Sequence, residues 1–174
     1  MYRIVLDTNI IDFAFLPEKS EVKEACQQVV FSIRYEHSGF KLAVDNGTEQ
    51  DPNSFILREY RHNLGGTRDF EKYIMELFRK RRIEFVVLRQ DIKLEERLYE
   101  LKFHEQEDHV FVVTALAADR IIVTEDSDYG VHGERDYEKV YHYLTEELKL
   151  NLFTAEGFGC WAINRDIAFG GQNP

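Results

Sequence analysis

Two apolar segments with the character of buried strands are each followed by acidic residues. Asp7 comes directly after residues 4–6, and Asp126 and Asp128 come shortly after Ile121–Val123. Parallel strands place their carboxyl ends along one edge of a sheet, so these acids should lie close together. Asp7 or Asp126 alone could equally cap the turn that follows it. Together they are like charges that repel one another unless a cation or protons offset them.

Glu59 and Asp108 are two further acids that fit such a site. Glu59 lies on a predicted helix after the second strand, and Asp108 lies at the start of the helix that leads to the fourth strand. Acids in a first helical turn stabilise the helix whatever the function, which accounts well for Glu105 and Glu107. This explanation is weaker for Asp108, because it directly precedes the apolar run 110–116 and should lie at the edge of the buried face.

A set of carboxylates of this kind is suited to a hard divalent cation. Mg²⁺ takes oxygen ligands, and it typically uses one or two carboxylates directly while keeping several waters. Such a centre can activate water and offset charge on a scissile phosphate, which is the chemistry of phosphodiester hydrolysis. The residues by themselves therefore predict a carboxylate-rich metal site.

The apolar pattern predicts short strands separated by helices. Strands are expected at residues 4–6, 40–44, 84–88, 121–123 and 150–153. Helices are expected at about 18–35, 54–63, 67–80, 91–101, 105–118 and 154–163, with a polar loop at 46–53. Thr67 is expected to cap the helix that it precedes, and Asp91 is expected to start the next one. Apolar rather than alternating strands separated by helices are typical of an α/β protein with a mostly parallel sheet.

Length and segment composition bound the organisation of the chain. Its 174 residues suit a single domain over 1–174, of which about 164–174 is expected to be a loosely ordered tail. No apolar run has the length of a membrane helix, and the first residues lack the pattern of a signal peptide. These features predict a cytoplasmic protein with no membrane partner.

The net charge of −10 argues against nucleic-acid binding through a broad basic surface. It leaves room for a nucleic-acid enzyme whose acids are concentrated at a metal site. The dense basic run at 79–82 is interpreted as a helix C-terminus, where cations complement the helix dipole.

Cys26 and Cys160 lack zinc-site spacing and are expected to be buried, reduced thiols. His109 is interpreted as a packing or surface residue rather than a substrate contact.

Several segments, taken in order, resemble the motifs of the PIN domain family of nucleases. The apolar strand followed by Asp-Thr-Asn at 7–9 resembles its first motif, and Asp108 leading an Ala-rich apolar helix resembles its third. Residues 121–129, a strand followed by Thr-x-Asp and an Asp–aromatic pair, resemble its fourth, and 150–158 resembles its closing strand and helix. The resemblance spans nearly the whole chain, and its specificity lies in the ordered set rather than in any one motif.

The resemblance implies a particular fold and activity. The fold is a three-layer α/β/α sandwich with a parallel five-stranded sheet in the order 3-2-1-4-5. The activity is that of an endoribonuclease, in which clustered carboxylates bind one or two Mg²⁺ or Mn²⁺ ions and RNA is hydrolysed. By matching motif, Asp7, Asp108 and Asp126 carry over as catalytic metal ligands.

The remaining acids match the family less closely. Glu59 matches the second catalytic acid by its place on a helix after strand two, and it would be a fourth metal ligand. Asp45, at the end of strand two, is the alternative, because the loop that follows it is longer than in the smallest family members. Asp128 matches an accessory acid that is a metal ligand in only some members.

Other residues would support these acids. Thr8, Asn9 and Thr124 would be hydrogen-bond donors that orient the carboxylates. Arg58 and Arg61 lie near Glu59 in sequence and would bind substrate phosphates, although solvated helix charges of this kind are common.

The partners and the alternatives follow from the same comparison. The small size resembles toxins of bacterial toxin–antitoxin pairs and related RNA-processing nucleases, so an antitoxin or other inhibitor protein and a second copy of the chain join RNA as candidate partners. Two other functions stay open, namely a catalytically silent PIN-like module that binds RNA or protein, and a structure-specific DNA nuclease. The acid set favours an enzyme, and the short chain leaves little room for DNA-binding inserts.

Overall fold

Five parallel strands form the centre of the molecule. A computed structural model describes residues 1–15, 21–35, 37–47, 53–88, 91–103, 106–165 and 167. Its strands are β1 (Tyr2–Leu6), β2 (Phe40–Asp45), β3 (Ile83–Val86), β4 (Ile121–Val123) and β5 (Asn151–Phe153). They pair in the order β3-β2-β1-β4-β5, every pair is parallel, and helices flank the sheet in a three-layer α/β fold. The predicted fold class and strand order are confirmed.

The described residues form eight α-helices around this sheet. They are α1 (Thr8–Phe15), α2 (Glu21–Arg34), α3 (Phe55–Leu64), α4 (Arg68–Arg79), α5 (Ile92–Glu100), α6 (Gln106–Ala117), α7 (Glu138–His142) and α8 (Ala155–Asn164). None of these helices combines the length and the apolar character needed to cross a membrane. Most of the loop expected at 46–53 and of the tail expected at 164–174 lies outside the described residues, as do the expected helix starts at 18 and 105.

Two helical regions were not predicted. The first is α1, in which apolar residues follow one another so closely that they show no helical stripe. The second joins β4 to β5 and holds 3₁₀ turns at Ser127–Tyr129 and Arg135–Tyr137, then α7 and a π-helical segment at Tyr143–Glu147. This stretch is mostly charged and polar, so apolar periodicity gives little signal there.

Helix starts follow the local rules, with one correction. The Ser54 hydroxyl accepts a hydrogen bond from the Leu57 amide at the start of α3, and the Asp91 carboxylate does the same for Leu94 in α5. Thr67 occupies the equivalent position before α4, but its side chain makes no capping hydrogen bond. The predicted capping role of the Thr67 hydroxyl is therefore wrong.

The sheet register determines which residues meet at its carboxyl edge. Residues 4–6 of β1 are fully buried at the centre of the sheet. Leu6 pairs with Val123 of β4, so the next residues on each strand, Asp7 and Thr124, emerge side by side. The Asp7 amide donates to the Val123 carbonyl at 3.0 Å, which extends the ladder by one residue. The order of the sheet thus brings two segments far apart in sequence to one point.

The two cysteines and His109 behave differently from one another. Cys26 is buried and Cys160 is exposed, and both are free thiols. The prediction of burial is therefore right for Cys26 and wrong for Cys160, which lies on an outer position of α8.

His109 is buried, its Nε2 contacts the Phe103 carbonyl at 2.6 Å, and its ring stacks on Phe103. It is a packing residue, as interpreted from the sequence.

The basic run at 79–82 ends α4, as expected, and one member of it is buried. The Arg82 guanidinium donates to the carbonyls of Ile33, Tyr35 and Ser38, which follow the end of α2 or belong to its last turn. It also donates to the Ser38 hydroxyl at 2.8 Å. Carbonyls at a helix end have no partner within the helix, so Arg82 supplies the hydrogen bonds that would otherwise be missing.

Replacing Arg82 by Ala should lower the free energy of unfolding by about 3 kcal/mol, because several buried carbonyls lose their donor at once. The neighbouring Arg81 is exposed, so Arg81→Ala should change stability by no more than about 0.5 kcal/mol. Urea denaturation of both variants measures the difference. Equal losses would show that the guanidinium contacts contribute nothing specific.

Candidate metal centre

Asp7 is the best-held side chain at the carboxyl edge of the sheet. Its Oδ1 accepts a hydrogen bond from the Thr8 amide at 2.7 Å. Its Oδ2 accepts from the Asn9 side-chain amide at 3.0 Å and from the Thr124 hydroxyl at 2.6 Å. Only 4% of the residue is exposed. Because two of these donors belong to α1 and the third directly follows β4, the carboxylate is held by two separate parts of the chain.

Thr124 connects Asp7 to Asp126. While the Thr124 hydroxyl donates to Asp7, it accepts a hydrogen bond from the Asp126 amide at 2.9 Å. One oxygen of Asp126 accepts from the Asp128 amide at 2.9 Å, so Asp126 also caps the 3₁₀ turn that follows. The capping explanation and a role at the site are therefore compatible. The Asn9 side-chain oxygen Oδ1 accepts a hydrogen bond from the Glu125 amide at 3.1 Å. This bond ties the segment after β1 to the segment after β4.

Thr8 connects Asp7 to Glu59. Its amide donates to Asp7, and its hydroxyl donates to Glu59 Oε1 at 2.5 Å. Glu59 lies one turn into α3, which packs against α1. The next residue, Tyr60, is fully buried and donates its hydroxyl hydrogen bond to the Leu6 carbonyl at the end of β1. This bond fixes the position of α3 relative to the strand that ends at Asp7.

Asp108 joins the other acids around the hydroxyl of Tyr129. Asp108 is buried at the start of α6, and Tyr129 is buried in the turn after Asp126. Burial first, and then the charges of Asp7, Asp108, Asp126 and Glu59, raise the pKa of the Tyr129 hydroxyl well above its ordinary value. The charges of four acids predicted from the sequence therefore act on one hydroxyl near the carboxyl edge of the sheet.

The electrostatics of this cluster are visible at Asp7. Burial is the main cause that raises the pKa of Asp7 to about 7, with further contributions from the charges of Asp126 and Glu59, against the opposing hydrogen bonds from Thr124 and Thr8. A carboxylate whose ionised form is disfavoured at neutral pH is one that a cation would stabilise.

Asp45 is engaged elsewhere. Its two oxygens accept hydrogen bonds from the Ser54 hydroxyl and from the amides of Gly47, Phe55 and Ile56, each at 2.9 Å. Ser54, Phe55 and Ile56 form the start of α3, where unpaired amides favour an anion. Glu59, rather than Asp45, is the acid from this region that reaches Thr8 beside Asp7.

Asp128 and Glu125 face other partners. Asp128 accepts a hydrogen bond from the Tyr137 hydroxyl, and this raises the pKa of Tyr137. Glu125 accepts from the Ala155 amide at 2.7 Å, which places it at the start of α8, and it contacts His132 at 3.2 Å. The four acids that act most strongly on Tyr129 do not include either residue.

The predicted phosphate-binding arginines lie on the outer side of α3. Arg58 and Arg61 are exposed, and His62 is exposed beside them. Residues three and four apart share a helix face, so these three side chains form one basic surface next to Glu59. The Arg58 guanidinium also lies over the Phe55 ring, 5.8 Å from its centre.

Tyr129 is the residue of this centre that was not predicted from the sequence. It belongs to the Asp–aromatic pair at the end of segment 121–129, but the pattern indicates only an aromatic ring. A signal was present, since tyrosine carries a hydroxyl where phenylalanine would fill the same space. The direction of that hydroxyl depends on tertiary packing and cannot be read from the sequence.

The donor set fits a hard divalent cation. The groups around Tyr129 are carboxylates, which Mg²⁺ and Mn²⁺ prefer, and the Tyr129 hydroxyl is a buried polar atom with no protein partner in the described residues. Across those same residues, no three acidic, histidine or cysteine side chains stand close enough together to enclose a metal ion as they are placed. Mg²⁺ needs only one or two direct carboxylates, with waters completing its shell.

Comparisons with known proteins add no family to this description. No model of a known protein family matches the chain, and no curated protein matches it either.

Asp7→Asn should make the stability of the metal-free protein less dependent on pH. The raised pKa of Asp7 means that the folded state gains stability from its proton below the ordinary value of 3.8, and loses that gain as pH rises to about 7. The asparagine side chain cannot ionise. The free energy of unfolding of the variant should therefore exceed that of the parent by an amount that grows across this pH window to the order of a few kcal/mol.

Urea denaturation in EDTA between pH 5 and pH 8 would measure that advantage. Asp69→Asn, which removes an exposed acid of α4, is the control for a change in surface charge. If the difference in free energy of unfolding between Asp7→Asn and the parent stayed constant or shrank with rising pH, the conclusion that burial raises the pKa of Asp7 would be wrong.

Proposed function

We propose that this protein is a metal-dependent endoribonuclease of the PIN type, which hydrolyses RNA phosphodiester bonds with Mg²⁺ or Mn²⁺. The observation that carries the proposal is the buried Asp7 carboxylate, held by three donors and surrounded by the charges of Asp126 and Glu59. Such a concentration of like charge destabilises a fold unless a ligand uses it. A divalent cation is the ligand with the matching charge and oxygen preference.

In this proposal the acids hold the cation, and their neighbours hold the acids. Asp7, Glu59, Asp108 and Asp126 would be the metal-binding residues, while Thr8, Asn9 and Thr124 keep the carboxylates in place. The cation, when bound, supplies Lewis-acid activation of water and offsets charge on the scissile phosphate. Short polar donors orient Asp7 without neutralising it, so its charge stays available to the cation.

Direct attack by water follows from the burial of the nearby hydroxyls. Thr8 is 7% exposed and Thr124 is fully buried, and both already hydrogen-bond to carboxylates of the cluster. Neither hydroxyl can reach a phosphate in solution from there. The reaction we propose therefore breaks the P–O bond with water as the nucleophile and forms no covalent enzyme intermediate.

The basic surface of Arg58, Arg61 and His62 supports a polyanionic substrate. The chain is acidic overall, so phosphate binding needs local positive charge, and this surface lies on the helix that carries Glu59. Phosphate contacts fix the position of the backbone and leave the chemistry to the metal centre. The choice of RNA over DNA comes from the resemblance to PIN nucleases, so both substrates belong in the test.

Asp7→Asn should abolish cleavage of a labelled single-stranded RNA in saturating Mn²⁺, with a loss of at least about a hundredfold, because the side chain keeps its size but loses the charge that binds the cation. EDTA should abolish cleavage by the parent. Asp12→Asn is the matched control, since Asp12 is a half-buried acid of α1 that pairs with Asn63 one helical turn away from the Thr8–Glu59 contact.

The same assay decides between the candidate functions. Activity that survives in EDTA or in Asp7→Asn would refute a metal-dependent nuclease centred on Asp7. Binding of RNA or protein without cleavage under any metal condition would favour a silent binding module. Faster cleavage of branched DNA than of RNA would favour a structure-specific DNA nuclease.

Arg61→Ala should raise KM for RNA several-fold, leave kcat nearly unchanged, and lower the slope of log KM against log salt by about one, as expected for one lost phosphate contact. Arg79→Ala is the control, because this exposed arginine ends α4 at the opposite, amino edge of the sheet. A salt dependence that is the same for both variants and the parent would remove α3 from the substrate-binding surface.

A further inference from the structure

The hydroxyl of Tyr129 is a buried polar group without a protein partner. The residue is fully buried, and in the described part of the chain no group hydrogen-bonds to its phenolic oxygen. Buried polar groups are nearly always paired, so an exception calls for a physical explanation. Other buried tyrosines of this protein follow the rule, since Tyr60 donates to the Leu6 carbonyl and Tyr73 donates to the Val30 carbonyl.

The ring of Tyr129 is fixed by its neighbours. Phe103 meets it edge-on, with ring centres 4.9 Å apart and an interplanar angle of 82°. Phe103 in turn stacks on His109, whose Nε2 donates to the Phe103 carbonyl at 2.6 Å. On the other side, Gly130 ends the 3₁₀ turn in the left-handed region at φ 70°, and its amide donates to the Ser127 carbonyl. The hydroxyl is therefore held in one direction.

The acid cluster lies within electrostatic range of that hydroxyl. The charges of Asp7, Asp108, Asp126 and Glu59 all act on the Tyr129 oxygen. His109, which fixes Phe103, is the residue directly after Asp108, so the same packing positions an acid and the hydroxyl. A phenol can donate one hydrogen bond, and a pocket rich in oxygen atoms is where such a donor finds an acceptor.

We propose that Tyr129 is a positioning residue of the metal centre, whose hydroxyl donates a hydrogen bond to the oxygen ligands gathered around a divalent cation. The inference rests on the metal centre proposed above and adds a neutral donor to it. In a cluster of carboxylates, a donor without charge orients ligand oxygens and does not compete with the cation. The cost of burying the hydroxyl without a protein partner is offset only when those oxygens are arranged around a cation.

The test is a titration of Mn²⁺ into the metal-free protein, followed by calorimetry, for the parent and for Tyr129→Phe. We expect Mn²⁺ to bind about tenfold more weakly to Tyr129→Phe, which is the effect typical of losing a group that orients a ligand. The melting temperature of the metal-free variant should equal or exceed that of the parent, because the deleted hydroxyl has no protein partner there. The increase in melting temperature caused by millimolar Mn²⁺ should be smaller than in the parent.

Tyr73→Phe is the matched control. It deletes a buried tyrosine hydroxyl that donates to the Val30 carbonyl at 2.9 Å, and the charges that act on this hydroxyl are those of Arg34 and Glu76 rather than those of the acid cluster. Its metal-free melting temperature should fall, because a buried carbonyl loses its donor, and its Mn²⁺ affinity at a temperature where it is folded should match that of the parent. Tyr129→Phe is thus expected to lose metal affinity and keep its stability, whereas the control is expected to lose stability and keep its metal affinity.

Asp126→Asn, titrated in parallel, separates failure of this inference from failure of the proposed function. If Asp126→Asn weakens Mn²⁺ binding and Tyr129→Phe binds like the parent, the inference is wrong while the metal centre stands. If the parent binds no Mn²⁺, the metal centre is wrong and the inference with it. A Tyr129→Phe variant that loses stability as Tyr73→Phe does, with unchanged affinity, would also overturn it, because the hydroxyl would then be purely structural.

Discussion

The hydrogen bond from Thr124 to Asp7 joins the two central strands at the point where their acids meet. It spans 117 positions of sequence and is buried on both sides. The β1–β4 register places these residues next to each other, and Asn9 and Thr8 then hold the loops and helices that carry the other acids. The same Thr124 hydroxyl accepts a hydrogen bond from the Asp126 amide, so one side chain links the acids that follow β1 and β4.

The distribution of ion pairs separates the two edges of the sheet. At the amino edge, Arg3 pairs with Asp119 at 2.8 Å and with Glu84 at 3.4 Å, and Lys41 pairs with Glu84. At the carboxyl edge, among the residues that the structure describes, Asp7 and Asp126 make no ion pair with lysine or arginine and are held by hydroxyl and amide donors instead. The amino-edge acids Glu84 and Asp119 are thus paired with basic side chains, whereas Asp7 and Asp126 are held by neutral donors where we propose that a cation binds.

The sequence predicted the sheet because its three central strands, β2, β1 and β4, are mostly buried on both faces and therefore read as apolar runs. It also predicted Asp7 and Asp126, whose places follow directly from the ends of β1 and β4. It left open whether Glu59 or Asp45 lies beside Asp7. The amides at the start of α3 donate to Asp45, and this contact depends on tertiary structure rather than on the local sequence. Tyr129 was missed for a similar reason, because its hydroxyl is directed by Phe103 and His109 rather than by its neighbours in sequence.

The order of the strands has a consequence for a chain that is made from its N-terminus. β1 and β2 are neighbours in sequence and in the sheet, so they can pair early, whereas β4 must wait until residue 123 is available. Long-range parallel pairing is slow because a long loop must close before the contacts form. The carboxylates of the proposed centre therefore come together only after most of the chain exists. A chain that stops before β4 lacks Thr124 and Asp126, so we expect it to bind no metal at the proposed centre even when its first strands have paired.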